Sequence, residues 1–206
     1  MSNWKWQHGL MALLMVLVAI STSFILTILY SPLIYAGFSG VFPFYQTLKL
    51  DYGLVLHNYM ELYRYLINPF QQVLAFPNFI SSAQGLQHFA EVKGLMWGLA
   101  IVCVMSWGGL FHVKHRGTSF TKLWLKHYIK QIQYVLIGIA GLTVLFFEQA
   151  FLLFHQLLFR NDLWLFNPTT DPIILVLPLE LFQLFFVVIA VSYFVLIRWI
   201  SRLVER

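Results

Sequence analysis

Four long apolar segments with few charges dominate the pattern along the chain. They cover residues 10–30, 94–113, 134–154 and 173–197. A helix needs about 20 consecutive apolar residues to cross a lipid bilayer. The pattern therefore predicts an all-α integral membrane protein, with four transmembrane helices packed as a bundle in one membrane domain over residues 1–206.

The longest connection, residues 31–93, is rich in aromatic residues, which favour the headgroup layer of a membrane. Within it, one set of apolar residues recurs at helical spacing, with polar residues on another face. The apolar set is Val55, Tyr59, Leu62 and Leu66, and the polar set is His57, Asn58, Glu61 and Arg64. This predicts an amphipathic helix on the outer leaflet, ended by Asn68-Pro69, and short strands elsewhere in the connection are possible. Such a cap would serve as a lid over a site or as a surface anchor, and the pattern leaves both open.

Composition agrees with a membrane protein. The chain is 60% hydrophobic and only 10% charged, whereas soluble domains carry about 25% charged residues. The single cysteine, Cys103, excludes an intrachain disulfide and any metal site built from several cysteines.

The net charge of +5 is explained by where the basic residues lie, so we expect no nucleic-acid partner. Nine of the thirteen fall on one side of the predicted spans: Lys5, Lys114, Arg116, Lys122, Lys126, Lys130, Arg198, Arg202 and Arg206. The positive-inside rule places that side in the cytoplasm. We therefore expect both termini and the basic loop 114–130 in the cytoplasm, and residues 31–93 and 155–172 outside it.

Two histidines mark the outer membrane boundary. His88 precedes the second segment and His155 closes the third, so the topology places them at similar depth, where they can meet. The connection after His155 is unusually polar, which is typical of a site because ionisable groups near lipid are costly. Its candidate site residues are Asn161, Asp162, Trp164 and Asp171.

Three carboxylates complete the candidate site. Glu91 shares a helix face with His88 by i+3 spacing. Glu148 and Glu180 lie within the third and fourth segments, and we expect both to point into the bundle, because intramembrane carboxylates normally face the interior. Two imidazoles with carboxylates around them suit a substrate that bears an amine.

Simpler interpretations remain open. Interfacial histidines often serve only as hydrogen-bonded anchors, and Asp162 and Asp171 can cap turns or the start of the fourth helix, since Pro172 follows Asp171. The chain has no HExxH pattern, no GxSxG nucleophile elbow and no phosphate-binding glycine loop. A metal site built from His88, His155 and an acid is conceivable, but the spacing typical of a zinc site is absent, so we expect no metal.

Two blocks of sequence are similar to a known bacterial family. HFAEVK (88–93) and FHQLLFRNDLWLFNPTTDPIILVLPLELF (154–182) resemble the signature blocks of the lipoprotein intramolecular transacylases. The resemblance extends over essentially the whole chain. Glu91 departs from the family pattern, which has aspartate there; the change keeps the charge but alters its reach.

The resemblance implies an enzyme of the bacterial plasma membrane, with its active site facing the outer leaflet. Such an enzyme moves the sn-2 acyl chain of the S-diacylglyceryl cysteine of a lipoprotein to the α-amino group of the same cysteine, giving a lyso-form lipoprotein. It implies diacylglyceryl-modified lipoproteins and membrane lipids as partners, and no cofactor. We expect a monomer.

His88 and His155 would then act as general base and general acid, with His155 favoured as base. Asn161 or Trp164 would face the developing oxyanion, and Asp162, Glu91 or Asp171 would fix a histidine tautomer. Two other classes stay open on the residues alone: a metal-dependent membrane hydrolase, and a non-catalytic membrane carrier or assembly subunit.

Overall fold

The computed structural model describes residues 3–115 and 122–205. Those residues form seven α-helices and one short 3₁₀ helix, and they contain no strand. The helices are α1 (Asn3–Val41), α2 (Phe44–Thr47), α3 (Tyr52–Ile67), α4 (Ala83–His115), α5 (Lys122–Leu145), α6 (Phe147–Leu158) and α7 (Leu179–Glu205), with the 3₁₀ helix at Pro172–Val176. The all-α prediction is confirmed, and the short strands considered for residues 31–93 are not formed.

Four of the described helices are long and apolar enough to cross a membrane. Their candidate spans are Gly9–Val41, Ala83–His115, Lys126–Leu145 and Leu179–Val204. The protein is therefore a multi-pass membrane protein, as the four apolar segments predicted.

The helix ends differ from the ends of the apolar segments. α1 continues through Pro32 to Val41, since proline is tolerated inside apolar helices where neighbouring groups satisfy the freed backbone carbonyl. The predicted third segment is two helices that part at Phe146. The predicted fourth segment begins as the 3₁₀ helix, and α7 starts only after Pro178.

All the described residues of the predicted cytoplasmic loop 114–130 are helical. α4 reaches His115 and α5 begins at Lys122, while residues 116–121 lie outside the described residues. Arg116 and Arg206 are therefore not described, and neither are the side chains of Lys5 and Lys122.

The chain forms two compact units, and each has its own core. The first comprises Met1–Leu26, Leu99–Phe146 and Val187–Arg206. Its core is a cluster of fully buried apolar side chains that includes Met11, Met15, Ile197 and Ile200.

The second unit comprises Thr27–Gly98 and Phe147–Phe186. The rings of Tyr35 and Tyr59 stack at 3.8 Å, and the Tyr35 hydroxyl donates to the Val176 carbonyl at 2.9 Å. The same core buries Val55 of α3 and Ile173 of the 3₁₀ helix completely. This packing holds the 3₁₀ helix, and the connection that leads into it, in place.

The predicted amphipathic helix is α3, which ends at Ile67 as the Asn68-Pro69 signal indicates. Its apolar face is buried within the second unit. The surface-anchor interpretation therefore lacks the lipid-facing apolar face that it needs. Asn58, assigned above to the polar face, is fully buried and pairs with Asn78 through its side-chain amide at 3.0 Å.

Replacing Ile173 by alanine should destabilise the second unit. The side chain is fully buried, and such truncations cost about 2–5 kcal/mol. Thermal unfolding in detergent micelles measures the loss, with Leu175→Ala, at a position 38% exposed, as the matched control. Equal unfolding temperatures for the two variants would contradict the packing described here.

Candidate active site

His88 and His155 lie side by side in the second unit. His88 belongs to the second turn of α4 and His155 to the last turn of α6. Their ring centroids are 6.0 Å apart, with 37° between the ring planes. His88 is 4% exposed and His155 is half-buried. The prediction that the two histidines meet is confirmed.

Aromatic side chains surround both imidazoles. Phe159 lies 4.7 Å from the His88 ring and 5.6 Å from the His155 ring, measured between ring centroids. Phe166 is 5.5 Å from His88, and Trp164 is 5.0 Å from His155. Phe159 and Phe166 were missed in the sequence. Phe159 follows His155 by one helical turn, which was a usable signal, whereas nothing local marks Phe166.

One hydrogen bond fixes the tautomer of His155. Its Nδ1 lies 2.8 Å from the Phe151 carbonyl oxygen. A carbonyl oxygen can only accept, so Nδ1 carries the proton and donates it. In the neutral ring, Nε2 then presents a free lone pair, which is what a general base needs. Burial lowers the pKa of His155, and the bond to Phe151 partly opposes this.

His88 differs from His155 in its hydrogen bonding. Its Nδ1 is buried and has no hydrogen-bond partner among the residues that the structure describes. Buried polar atoms are nearly always paired, and a catalytic role is one recognised reason for an exception. The unpaired Nδ1 therefore makes His88 a candidate for proton transfer.

Glu91 is joined to the connection that follows α6. The Asn161 side-chain nitrogen donates to Glu91, 3.1 Å from Oε1 and 3.2 Å from Oε2. Asn161 is held in turn, because its Oδ1 accepts the Leu163 N–H at 3.1 Å and its carbonyl accepts the Trp164 indole N–H at 2.9 Å. The indole N–H is thus engaged and does not point at an oxyanion as predicted. Both Asn161 and Trp164 support the site's geometry.

Asp171 links the end of the same connection to the start of α4 by hydrogen bonding. It is 3% exposed, and its two oxygens accept the Ser82 N–H and the Thr170 hydroxyl, each at 2.8 Å. Ser82 in turn accepts the Gly85 N–H at 2.9 Å. The carboxylate makes no capping bond to the 3₁₀ helix that follows it. Asp171 thus holds the N-cap position of the 3₁₀ helix without a side-chain cap, and neither of its oxygens is hydrogen-bonded to a histidine.

The remaining predicted carboxylates are exposed. Glu148 and Glu180 are exposed, so the prediction that they point inward is wrong. The helix breaks place each acid in the first turn of a helix, α6 or α7, where free N–H groups and the helix dipole stabilise a carboxylate. Asp162 is also exposed.

Among the side chains that the structure describes, no three of His, Cys, Asp or Glu converge closely enough to hold a metal ion.

Gly85→Ala should destabilise the packing of α4 against Asp171 and Phe166. A Cβ at Gly85 would collide with Asp171 Oδ1 and lie 2.9 Å from the Phe166 ring. The substitution should therefore lower the unfolding temperature, although alanine favours a helix. Gly94→Ala on the same helix, with nothing within 4 Å of its added Cβ, is the control, and a variant as stable as this control would contradict the close approach.

His155 should titrate below an ordinary histidine, whose pKa is about 6.5, because burial disfavours its charged form. Nitrogen NMR of the imidazole in micelles, assigned with His155→Gln, should give a midpoint below that value. At neutral pH it should show the proton on Nδ1. A midpoint at or above 6.5, or a proton on Nε2, would contradict the arrangement.

Comparison with known proteins finds a matching family. The family model for "Lipoprotein intramolecular transacylase Lit" matches residues 9–186. Three similar solved structures are of the membrane-integral lipoprotein intramolecular transacylase Lit from Bacillus cereus. One has 22% identity, covers 97% of this chain and 94% of its own, and has a TM-score of 0.74. Two carry a replacement of one histidine, to arginine or to alanine, with 25% and 24% identity and TM-scores of 0.69 and 0.67. No curated protein matches the chain.

Proposed function

The chain belongs to the lipoprotein intramolecular transacylase family, and on that premise we propose the reaction that it catalyses. It moves the acyl chain from the sn-2 oxygen of an S-diacylglyceryl cysteine to the α-amino group of the same cysteine. The product is a lyso-form lipoprotein with one acyl chain on nitrogen and one on glycerol. The reaction consumes no second lipid and needs no cofactor.

The observation that carries the proposal is the histidine pair. The two imidazoles lie 6.0 Å apart and are surrounded by aromatic rings. One can accept a proton and the other can donate one on either side of a single ester. His155 suits the base because its Nε2 lone pair is free while Nδ1 is held by Phe151. His88 then acts as the acid.

Atoms and protons balance in this scheme. The neutral amine attacks the sn-2 ester carbonyl, so that the N–C bond forms and the C–O bond to glycerol breaks. His155 accepts the proton that leaves the amine, and His88 delivers a proton to the departing sn-2 oxygen. Both imidazoles start and end neutral, because the proton that His155 takes up passes on to His88. Each role typically contributes about 10²- to 10⁴-fold to the rate.

The amine and the ester belong to one molecule, which supplies much of the remaining acceleration. Holding them in attack geometry replaces a bimolecular encounter. An α-amino group has a pKa of about 7.7–8.0, so part of it is neutral at physiological pH. The enzyme therefore has to orient the substrate and move one proton at a time.

The distribution of basic residues supports an orientation in the bacterial plasma membrane. Both termini face the cytoplasm and the histidine pair faces the outer leaflet, where diacylglyceryl lipoproteins and membrane lipids meet it. We further propose that the protein works as a monomer.

Mass spectrometry of a lipoprotein's N-terminal lipopeptide tests the reaction. Cells that make the diacylglyceryl form are compared with and without this protein. The total mass should stay the same, and fragmentation should place one acyl group on the cysteine nitrogen. An unchanged diacylglyceryl pattern with well-expressed protein would refute the proposed function.

His88→Ala and His155→Ala should each lower the yield of N-acyl product by about 10²-fold or more, since each removes one proton-transfer role. His57→Ala, at an exposed position of α3, is the matched control and should leave the yield unchanged. Near-normal transfer by either active-site variant would eliminate the two-histidine mechanism.

A further inference from the structure

Glu91 has no cationic partner among the residues that the structure describes. Glu61 of α3, by contrast, forms an ion pair with Arg64 at 3.4 Å. Lys93, two residues after Glu91, donates instead to the Gln71 carbonyl at 2.6 Å and lies over the Tyr65 ring at 4.3 Å. Glu91 is half-buried, and charges at such positions are normally paired.

The contact that Glu91 does make engages both of its carboxylate oxygens. A single nitrogen, Asn161 Nδ2, donates to both carboxylate oxygens, at 3.1 and 3.2 Å. Asn161 is neutral, so it satisfies hydrogen bonding while leaving the negative charge uncompensated. An ammonium group placed beside it would supply both donors and charge.

Glu91 also lies at the right place for the reacting amine. It follows His88 by three residues on α4, so their Cβ atoms are about 5–6 Å apart. Through Asn161 it is joined to Trp164, whose ring packs on His155 at 5.0 Å. A cation held by Glu91 therefore stands next to the histidine pair.

We propose that the Glu91 carboxylate, positioned by Asn161, binds the α-ammonium group of the lipid-modified cysteine and so selects lipoproteins whose N-terminus is free. This inference rests on the proposed function. The bound ammonium loses one proton to solvent water before the amine attacks, and His155 accepts the second proton during the attack. After transfer the nitrogen is an uncharged amide, so the product loses this contact and leaves.

Binding of two unreactive lipopeptides tests the proposal. Both carry S-dialkylglyceryl cysteine with ether in place of ester bonds, one with a free amine and one N-acetylated. The wild-type protein in micelles should bind the free-amine lipopeptide about 10- to 100-fold more tightly, as expected for a hydrogen-bonded charged group. Equal affinities for the two lipopeptides would overturn the proposal.

Variants separate recognition from a purely structural role of Glu91. Glu91→Gln should abolish the preference for the free amine, whereas Glu91→Asp should keep much of it because the charge remains. Glu61→Gln, which removes a carboxylate of α3 that is paired with Arg64, should leave the preference intact. A preference that survives in Glu91→Gln would contradict the inference. If Glu91→Gln does not fold, the preferences for the free amine measured with Glu91→Asp and with the wild-type protein test the proposal instead.

The ether lipopeptides cannot react, so this test is independent of acyl transfer. A preference for the free amine without any acyl transfer within native lipoprotein would refute the proposed function but support the amine site. Transfer without the preference would remove only the amine site.

Discussion

The buried carboxylate of Asp171 is the contact on which the histidine pair depends. Its hydrogen bond to the Ser82 N–H joins the connection after α6 to the residue just before α4. Leaving such a group unpaired inside the protein costs several kcal/mol, so the two parts of the chain stay together. Gly85 permits the approach because it has no Cβ to meet the carboxylate. His88, less than one turn further along α4, is thereby held close to His155.

Much of the fold could be predicted from local pattern. Continuous apolar runs located the four spans, and the spacing of Val55, Tyr59 and Leu62 located α3. Helix ends inside apolar sequence were harder, because a proline such as Pro32 can either end an apolar helix or lie inside it. The same uncertainty misplaced Glu148 and Glu180. Each lies in the first turn of a helix, whereas the apolar pattern placed it inside a span.

The site was predictable in part. Topology alone placed His88 near His155, and helical spacing linked His88 to Glu91. The contact between Glu91 and Asn161 spans 70 residues of sequence, and no spacing rule reaches that far. Phe166 likewise reaches His88 through the folded connection and not through a shared helix. Residues that act through such distant contacts become visible only once the chain is folded.

In the proposed reaction, the rings of Phe159, Trp164 and Phe166 around the imidazoles have a consequence for the fate of the lipoprotein. An activated ester beside a general base is open to attack by water as well as by an amine, and apolar walls reduce the access of water. Hydrolysis would leave the lipoprotein with a single acyl chain. One chain gives only marginal, reversible membrane binding, whereas two give stable anchoring. Under the proposed mechanism, the aromatic enclosure therefore helps to keep a processed lipoprotein attached to the cell.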